Sequence, residues 1–388
     1  MQKNENYTLK PIRFSYITHV GEGGFDIMQQ DFYLLKLIVQ NILYITYHKP
    51  RTLNEISELI EVSINVIEEI VIYLVNNGFI EVLNHVSNRN IVYVTKMLIH
   101  DLSDEVTNKM NIIYKEYAAI ICDKYIIRLF NELNFEEIFN KIYVPYNDLN
   151  FLMWNLVMLT CCKKLDIPEI NNALLKHYIK RSDGGDFIST ARVERNDILF
   201  QEKEQNRLIG QSVLSTSQID FPCYLWICNT FFDDRLFTGI NTLHLDFYYT
   251  YDYIKNNLKN NSDNTDIFER LYNSGFLRKT DSDKIDVNLI VTTFSKNELL
   301  NILPDMPNDF IEINKKMSEE LYNTCKNQYP EHIQELCHDF YLKSITNPDF
   351  IKHIFLCLLD NNYLKPLLDY QMKTVNMIMY SDILCTNS

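Results

Sequence analysis

Residues 63–80, SINVIEEIVIYLVNNGFI, constrain the fold of this chain more than any other segment. Apolar residues recur there at the three- and four-residue spacing of an amphipathic helix. Ser63 can cap the start of this helix, and Gly78 can end it, because glycine readily takes the left-handed conformation that closes a helix. The segment contains no lysine or arginine. The predicted core positions of the helix are Val66, Ile67, Ile70, Val71 and Leu74.

Two more helices are predicted before this segment. The run DFYLLKLIVQNILYITYHK has helical spacing from Asp31 onward and is stopped by Pro50. Thr52, with Glu55 three residues later, predicts a capping box at the start of the short helix TLNEISELI. Residues 61–62 then form the turn into the third helix.

Two β-like runs follow the third helix, FIEVLNHV and NIVYVTKML, with turn residues 87–90 between them. Three helices followed by a two-stranded hairpin resemble the winged helix-turn-helix of MarR-type and related bacterial modules. The resemblance covers 52–94 and implies a winged helix-turn-helix over residues 31–100. The residues in register with the family pattern are Ser63, Val66, Ile67, Ile70, Leu74, Gly78, Phe79 and Ile80.

A second segment repeats this plan further along the chain. RLYNSGFLRKTDSDKIDVNLIVTTF (270–294) and YLVNNGFIEVLNHVSNRNIVYV (73–94) both read as a helix ending Asn-x-Gly-Phe, then a polar turn and a β-like run. Internal similarity of this kind predicts a possible second winged-helix-like unit.

The whole chain is predicted to be mostly α with some β, in the α+β class. Its order is an N-terminal winged helix-turn-helix, a helical middle, the possible second winged-helix-like unit and a helical C-terminus. The predicted divisions are an N-terminal arm (1–30), the winged helix-turn-helix (31–100), a helical segment (101–183), an α+β region (184–300) and a helical C-terminal region (301–388).

Charge and composition narrow the function classes. A net charge of −14 disfavours a protein that coats nucleic acid or an anionic membrane through bulk charge, so any DNA site is a local patch. The start of the chain lacks the apolar core of a signal peptide, and its most apolar run, 151–162, is shorter than the ~20 residues of a membrane span. We expect a cytoplasmic, bacterial protein, without membrane contact, whose nine cysteines are reduced thiols.

The resemblance implies that the third helix and the hairpin contact DNA. Glu68 and Glu69 depart from the family pattern, because adjacent carboxylates on the outward side of this helix repel phosphates. The outward positions are Ile64, Asn65, Glu68, Glu69 and either Ile72 or Tyr73. The candidate DNA-binding residues are Arg51, Thr52, Ser63, Asn65, Glu68, Glu69, Arg89 and Lys96.

Two functions follow from this pattern. The first is a transcriptional regulator that binds double-stranded DNA as a homodimer, because one module has about four reliable cations and specific binders neutralise about 6–10 phosphates. Its C-terminal region would sense an effector or hold a partner. The alternative is a winged-helix adaptor that binds protein and not DNA, similar to the accessory subunits of SMC-type complexes, in which an apolar and acidic face grips a helix of another protein.

No catalytic group, cofactor or metal site is predicted. A nucleophile, a base and an orienting group cannot be assembled from the sequence, so we expect no enzyme. The cysteine pairs 161/162 and 223/228, and the cluster His332, Cys337 and His338, lack the matched spacing of structural zinc. A small effector, if one binds, is expected in the aromatic-rich region, where core packing is the competing explanation. The candidate ligand-binding residues there are Trp226, Phe231, Tyr248 and Tyr249.

Overall fold

A computed structural model describes most of the chain, and it is mostly helical with several small sheets, as predicted. The described residues are 12–22, 33–84, 91–161, 168–181, 184–193, 208–211, 225–227, 229–231, 249–254, 265–279, 285–343, 347–375 and 377–381. Within them, no helix is both long and apolar enough to cross a membrane.

Within the described residues, the helices with defined bounds are α1 (Leu37–His48), α2 (Leu53–Ile60), α3 (Ile64–Asn76), α4 (Asp104–Ile121), α5 (Ile127–Glu132), α6 (Phe135–Phe139), α7 (Leu149–Leu159), α8 (Pro168–Leu175), α9 (Thr265–Asn273), α10 (Lys296–Asn301), α11 (Phe310–Cys325), α12 (Gln334–Leu342), α13 (Pro348–Asp360) and α14 (Asp369–Met372), and residues 249–254 are also helical. A π-helical turn, Cys122–Ile126, lies between α4 and α5. The strands are β1 (Phe14–Glu22), β2 (Ile80–Asn84), β3 (Ile91–Thr95), β4 (Leu98–His100), β5 (Ile142–Tyr143), β6 (Ile179–Lys180), β7 (Asp186–Val193), β8 (Leu208–Gln211), β9 (Leu225–Ile227), β10 (Asn229–Phe231), β11 (Leu277–Lys279), β12 (Ile285–Val287), β13 (Ile290–Thr292) and β14 (Met377–Tyr380).

The three predicted N-terminal helices are present as α1, α2 and α3, and β2 and β3 form the predicted antiparallel hairpin. Arg51 extends this hairpin, because its backbone N–H and C=O both bond to Tyr93 of β3, at 3.0 and 2.8 Å. The three helices and the hairpin therefore follow one another in the predicted order, with a bridging strand residue, Arg51, between the first two helices.

Asp31, where the first helix was predicted to begin, lies outside the described residues. Tyr33 and Leu34 are helical, a turn follows at residues 35–36, and the continuous helix α1 begins at Leu37. The Gln40 side chain of α1 accepts a hydrogen bond from the Phe14 N–H at 3.0 Å and donates one to the Leu34 carbonyl at 3.0 Å, so it ties both preceding segments to this helix. The side chains of α1 are buried on most of its faces, and its apolar surface is therefore core.

The caps follow the sequence closely. Thr52 and Glu55 form the predicted capping box at the start of α2. Ser63 occupies the N-cap position of α3, but its side chain makes no capping hydrogen bond. Gly78 has a φ of 71°, so the left-handed end of α3 is also as predicted.

Four of the five predicted core positions of α3 are buried, and Val66 is not. The buried residues Ile67, Ile70, Val71 and Leu74 form one stripe along the helix. Val66 lies on the neighbouring stripe in the first turn, where it is 43% exposed, so the prediction for Val66 was wrong.

The chain divides into two compact units, each assembled from three separate segments. Unit 1 contains 1–110, 168–201 and 318–343, and unit 2 contains 111–167, 202–317 and 344–388. The contiguous divisions predicted from the sequence do not describe this arrangement, because the chain leaves each unit and returns to it.

Unit 1 contains a sheet in the order β1–β7–β4, with β6 also paired to β7. The predicted N-terminal arm therefore includes a sheet strand, β1, which runs antiparallel to β7, whereas β4 runs parallel to β7. Unit 2 contains a sheet in the order β5–β13–β14–β9. In it β9 is antiparallel to β14, and β13 is parallel to β14.

The two units repeat one arrangement. In each, a helix (α3 or α9) ends at a glycine with positive φ, Gly78 or Gly275, and a hairpin follows it. In unit 1 the next strand, β4, pairs in parallel with β7, and β7 pairs antiparallel with β1 on its other side. In unit 2 the next strand, β13, pairs in parallel with β14, and β14 pairs antiparallel with β9 on its other side. The repeat read from the sequence thus extends to the sheet topology of both units.

Candidate interaction surface

The outward side of α3 forms the surface that the sequence singled out. We define the third-helix surface as the exposed side chains Ile64, Asn65, Val66, Glu68, Glu69 and Ile72. Three of its six members are aliphatic, and they are 40% (Ile64), 43% (Val66) and 52% (Ile72) exposed. Large aliphatic side chains that are exposed close together on a protein surface often mark an interaction site.

Glu68 links this surface to the hairpin. Its carboxylate lies close enough to Tyr93 of β3 that, after burial, it is the next cause of the raised pKa of that phenol. The hairpin also exposes apolar side chains, Val82 on β2 and Ile91 on β3. The α3 helix and the hairpin therefore share an apolar and acidic character.

Glu69 lies at the other side of the third-helix surface. Tyr33 and Tyr73 have ring centroids 3.9 Å apart, and the pKa of Tyr33 is raised by burial, by Tyr73 and by Glu69. Both glutamates thus have an aromatic side chain beside them, which supplies further apolar area.

The described cations Lys36, Lys49, Arg51 and Lys96 have partners within the chain. Lys96 forms an ion pair with Glu81 at 3.0 Å, and Lys36 lies over the Tyr33 ring with its Nζ 4.4 Å from the centroid. Arg51 and Lys49 lie close to Glu55, whose pKa is lowered chiefly by hydrogen bonds to Thr52 and further by these two charges.

Of the predicted DNA-binding residues, Arg51 and Lys96 have the partners given above, and Ser63 is exposed at the start of α3. Asn65, Glu68 and Glu69 are exposed, as predicted. The Thr52 hydroxyl donates to Glu55 Oε2 at 3.0 Å and accepts from the Glu55 N–H, so it caps a helix. Arg89 lies outside the described residues. DNA contact by any of them stays a prediction.

The predicted ligand-binding residues are only partly described. Trp226 lies in β9 opposite Ile378, and Phe231 lies in β10 opposite Leu208. Tyr248 lies outside the described residues. Tyr249 packs against the buried cluster of unit 2, as a residue at the edge of a core does. Ligand binding at these positions also stays a prediction.

The metal candidates from the sequence have other roles where they are described. Cys161 and Cys337 are buried thiols, whereas Cys162, Cys223 and Cys228 lie outside the described residues. His332 lies with Nε2 3.3 Å from the Thr95 carbonyl, and burial lowers its pKa.

A cluster that the sequence did not indicate lies in unit 1. Potential ligand atoms of His177, Glu335 and Asp339 lie within 4.8 Å of one another. The Lys176 Nζ is 2.6 Å from Glu335 and 2.9 Å from Asp339, so the protein's own ammonium group neutralises this acidic cluster. No local pattern signals it, because His177 lies in the turn after α8 and the two carboxylates lie on α12, which is far away in the chain.

Comparison with protein-family models, curated proteins and solved structures gives no match.

Proposed function

We propose that this protein is a winged-helix adaptor whose third-helix surface binds another protein. The observation that carries the proposal is the composition of that surface: three exposed aliphatic side chains beside Glu68 and Glu69, on a helix without lysine or arginine. Major-groove readers present cations and amides at these positions, and a phosphate backbone repels carboxylates.

The chemistry of the surface defines the partner. Ile64, Val66 and Ile72 favour an apolar stripe, and the two glutamates favour lysine or arginine beside that stripe. A helix with apolar residues at three- and four-residue spacing and basic residues at its margins supplies both. We therefore propose that the partner presents a basic amphipathic helix.

The test uses the full chain and a labelled helical peptide with leucines on one face and lysines on the other. A matched peptide carries glutamates in place of the lysines. Fluorescence anisotropy should show binding of the lysine peptide and weaker or absent binding of the glutamate peptide. Equal affinity for the two peptides, or no binding of either, would contradict the proposal.

Substitutions then locate the site. Ile72→Ser removes an aliphatic side chain from the third-helix surface and should weaken binding of the lysine peptide by roughly fivefold, on the scale of one partly buried aliphatic group. Ile112→Ser is the matched control, because Ile112 on α4 is also well exposed, at 59%. An equal effect of both substitutions would place the binding elsewhere.

DNA binding is the second candidate, and the winged helix-turn-helix order of elements in α1–α3 and the hairpin favours it. It requires a dimer or added charge, because Lys96 is paired with Glu81 and Arg51 lies beside Glu55. The apolar side chains of α1 are buried within its unit and are not available to a dimer interface. Light scattering at micromolar concentration tests the dimer directly, and a monomer would exclude this form of the DNA hypothesis.

A further inference from the structure

Unit 2 contains a pair of thiols where the π-helical turn Cys122–Ile126 packs against α13. Cys122 is buried, and Cys357 on α13 is half-buried. The Cys122 thiol lies 3.7 Å from the carbonyl oxygen of Ile354, one turn before Cys357 on the same face of α13. The two thiols are also close enough to interact, and this interaction is the largest cause of the pKa shift of each.

A second donor approaches Cys357 from its own helix. The side-chain nitrogen of Asn361 is 2.8 Å from the Cys357 carbonyl oxygen and 3.7 Å from its sulfur. The interaction with Cys122, and after it the hydrogen bond from Asn361, lower the pKa of Cys357 to about 7, against opposing effects of burial and of Asp360.

The two thiols have unequal pKa values for one physical reason. The interaction with Cys357 raises the pKa of Cys122, and burial and the nearby Cys161 raise it further. At neutral pH Cys357 is therefore partly ionised, whereas Cys122 keeps its proton. A partly exposed thiolate beside a protonated thiol is the arrangement of a reactive cysteine and its resolving cysteine.

The backbone at Cys122 is an independent observation. Cys122 begins a π-helical turn between two α-helical segments. Such turns are rare and occur frequently at functional sites, because they open the helix and redirect side chains.

Unit 1 provides an internal comparison. Cys325 and Cys337 also shift each other's pKa, but both are fully buried. A soluble oxidant reaches Cys357 and does not reach this pair, so the exposure of Cys357 distinguishes the two sites.

We propose that Cys357 is a nucleophilic thiol that reacts with hydroperoxides, and that Cys122 converts the product to a disulfide. The Cys357 thiolate attacks the terminal peroxide oxygen, the O–O bond breaks, and the alcohol or water leaves after taking a proton from solvent. Cys357 is then a sulfenic acid. The Cys122 sulfur attacks the Cys357 sulfur, the S–O bond breaks, and water leaves with the Cys122 proton. Two thiols are oxidised to one disulfide as one peroxide is reduced.

The test treats the full chain with a small molar excess of hydrogen peroxide, blocks the remaining thiols and maps all cysteines by mass spectrometry. The expected product is a Cys122–Cys357 disulfide, with Cys325 and Cys337 still reduced. In Cys122→Ser the sulfenic acid at Cys357 should persist and be labelled by dimedone. An unmodified Cys357, or a disulfide between other cysteines in its place, would overturn the proposal.

If Cys122→Ser does not fold, the pH dependence of alkylation in the wild type tests the same proposal. Iodoacetamide labelling of Cys357 in the wild type should rise with a midpoint near 7. At pH 7 a thiol with this pKa is about half ionised, against roughly 3% for an ordinary cysteine. Since nucleophilicity falls with pKa, the net rate should exceed that of a free cysteine peptide by about threefold. A midpoint near the ordinary value of about 8.5 would refute the assignment.

Discussion

Phe79 and Phe276 occupy equivalent positions in the two units. The Phe79 N–H donates to the Leu74 carbonyl at 2.8 Å, and the Phe276 N–H donates to the Leu271 carbonyl at 2.9 Å. Each bond closes the end of a helix just after a glycine with positive φ. The two units therefore share the same helix end, the same following hairpin and the same sheet order.

The hydrogen bonds on the other side of each phenylalanine also match. The Lys96 N–H donates to the Phe79 carbonyl at 2.9 Å, and the Asn288 N–H donates to the Phe276 carbonyl at 2.8 Å. Both phenylalanines thus tie the end of a helix to the residue that follows the hairpin. Since Phe79 and Phe276 are buried, each also anchors this junction in the core of its unit.

Gly78→Ala should destabilise unit 1 by about 2–4 kcal/mol. Alanine at a φ of 71° costs about 1–2 kcal/mol, and its Cβ would also clash with the branched side chain of Ile179 on β6. Gly184→Ala is the matched control, because Gly184 also has a positive φ, 87°, but open space around it. Differential scanning calorimetry should show the larger fall for Gly78→Ala. Equal shifts would mean that the helix end does not pack against β6 as described.

Local features of the fold were predictable from the sequence, and distant pairings were not. The capping box of Thr52 and Glu55 and the left-handed Gly78 depend on contacts within a few residues, so their patterns are visible in the chain. The pairing of β1 with β7 has no such pattern, because the partners are far apart. For the same reason, no local pattern in the sequence shows that the chain leaves each unit and later returns to it.

The candidate sites divide in the same way. Helical spacing placed Glu68, Glu69 and Ile72 on the outward side of α3 correctly, but it assigned Val66 to the core. Spacing gives the direction of a side chain from the helix axis and does not show how far the neighbouring helices extend. Nothing in the sequence brings Cys122 to Cys357, since their contact depends on the packing of two distant elements.

Thr52→Ala should cost unit 1 about 1 kcal/mol, because it removes the hydroxyl that caps α2 and that donates to Glu55. Ser63→Ala is the control at the start of α3, where the serine side chain makes no capping bond, and it should change stability by a few tenths of a kcal/mol at most. Thermal unfolding of the two variants measures the difference. A larger effect of Ser63→Ala would show that this hydroxyl has a partner in solution.

Unit 1 should lose stability as the pH falls from 7.5 to 5.5. Burial lowers the pKa of His48 and of His332, while Asp101 opposes the shift at His48 and Lys96 adds to it at His332. Because the folded pKa values lie below the ordinary value of 6.5, the unfolded chain binds more protons in this range, so stability falls with pH. Stability is therefore greatest above about pH 6.5 and decreases as the pH drops through the folded values.

The variant His48→Gln/His332→Gln separates these two groups from other titrations. It should have a smaller difference in melting temperature between pH 7.5 and 5.5 than the wild type. An unchanged difference would assign the acid sensitivity to other residues.

The glutamate pair of the third-helix surface gives the clearest separation between protein and DNA binding. Glu68→Gln/Glu69→Gln removes two negative charges and keeps nearly the same helix propensity, so folding should barely change. If the surface binds a basic helix, the variant should bind the lysine peptide roughly threefold to tenfold more weakly at low salt, and the loss should shrink as salt is added. Its affinity for a random DNA duplex should stay as low as that of the wild type.

The DNA hypothesis requires the opposite result for the same variant. Two carboxylates near a polyanion repel it, so their removal should tighten non-specific DNA binding, with the largest gain at low salt. Glu105→Gln is the charge control, because Glu105 is an exposed glutamate at the start of α4, away from the third helix. Tighter DNA binding by Glu68→Gln/Glu69→Gln but not by Glu105→Gln, with unchanged affinity for the lysine peptide, would replace the adaptor with a DNA-binding regulator.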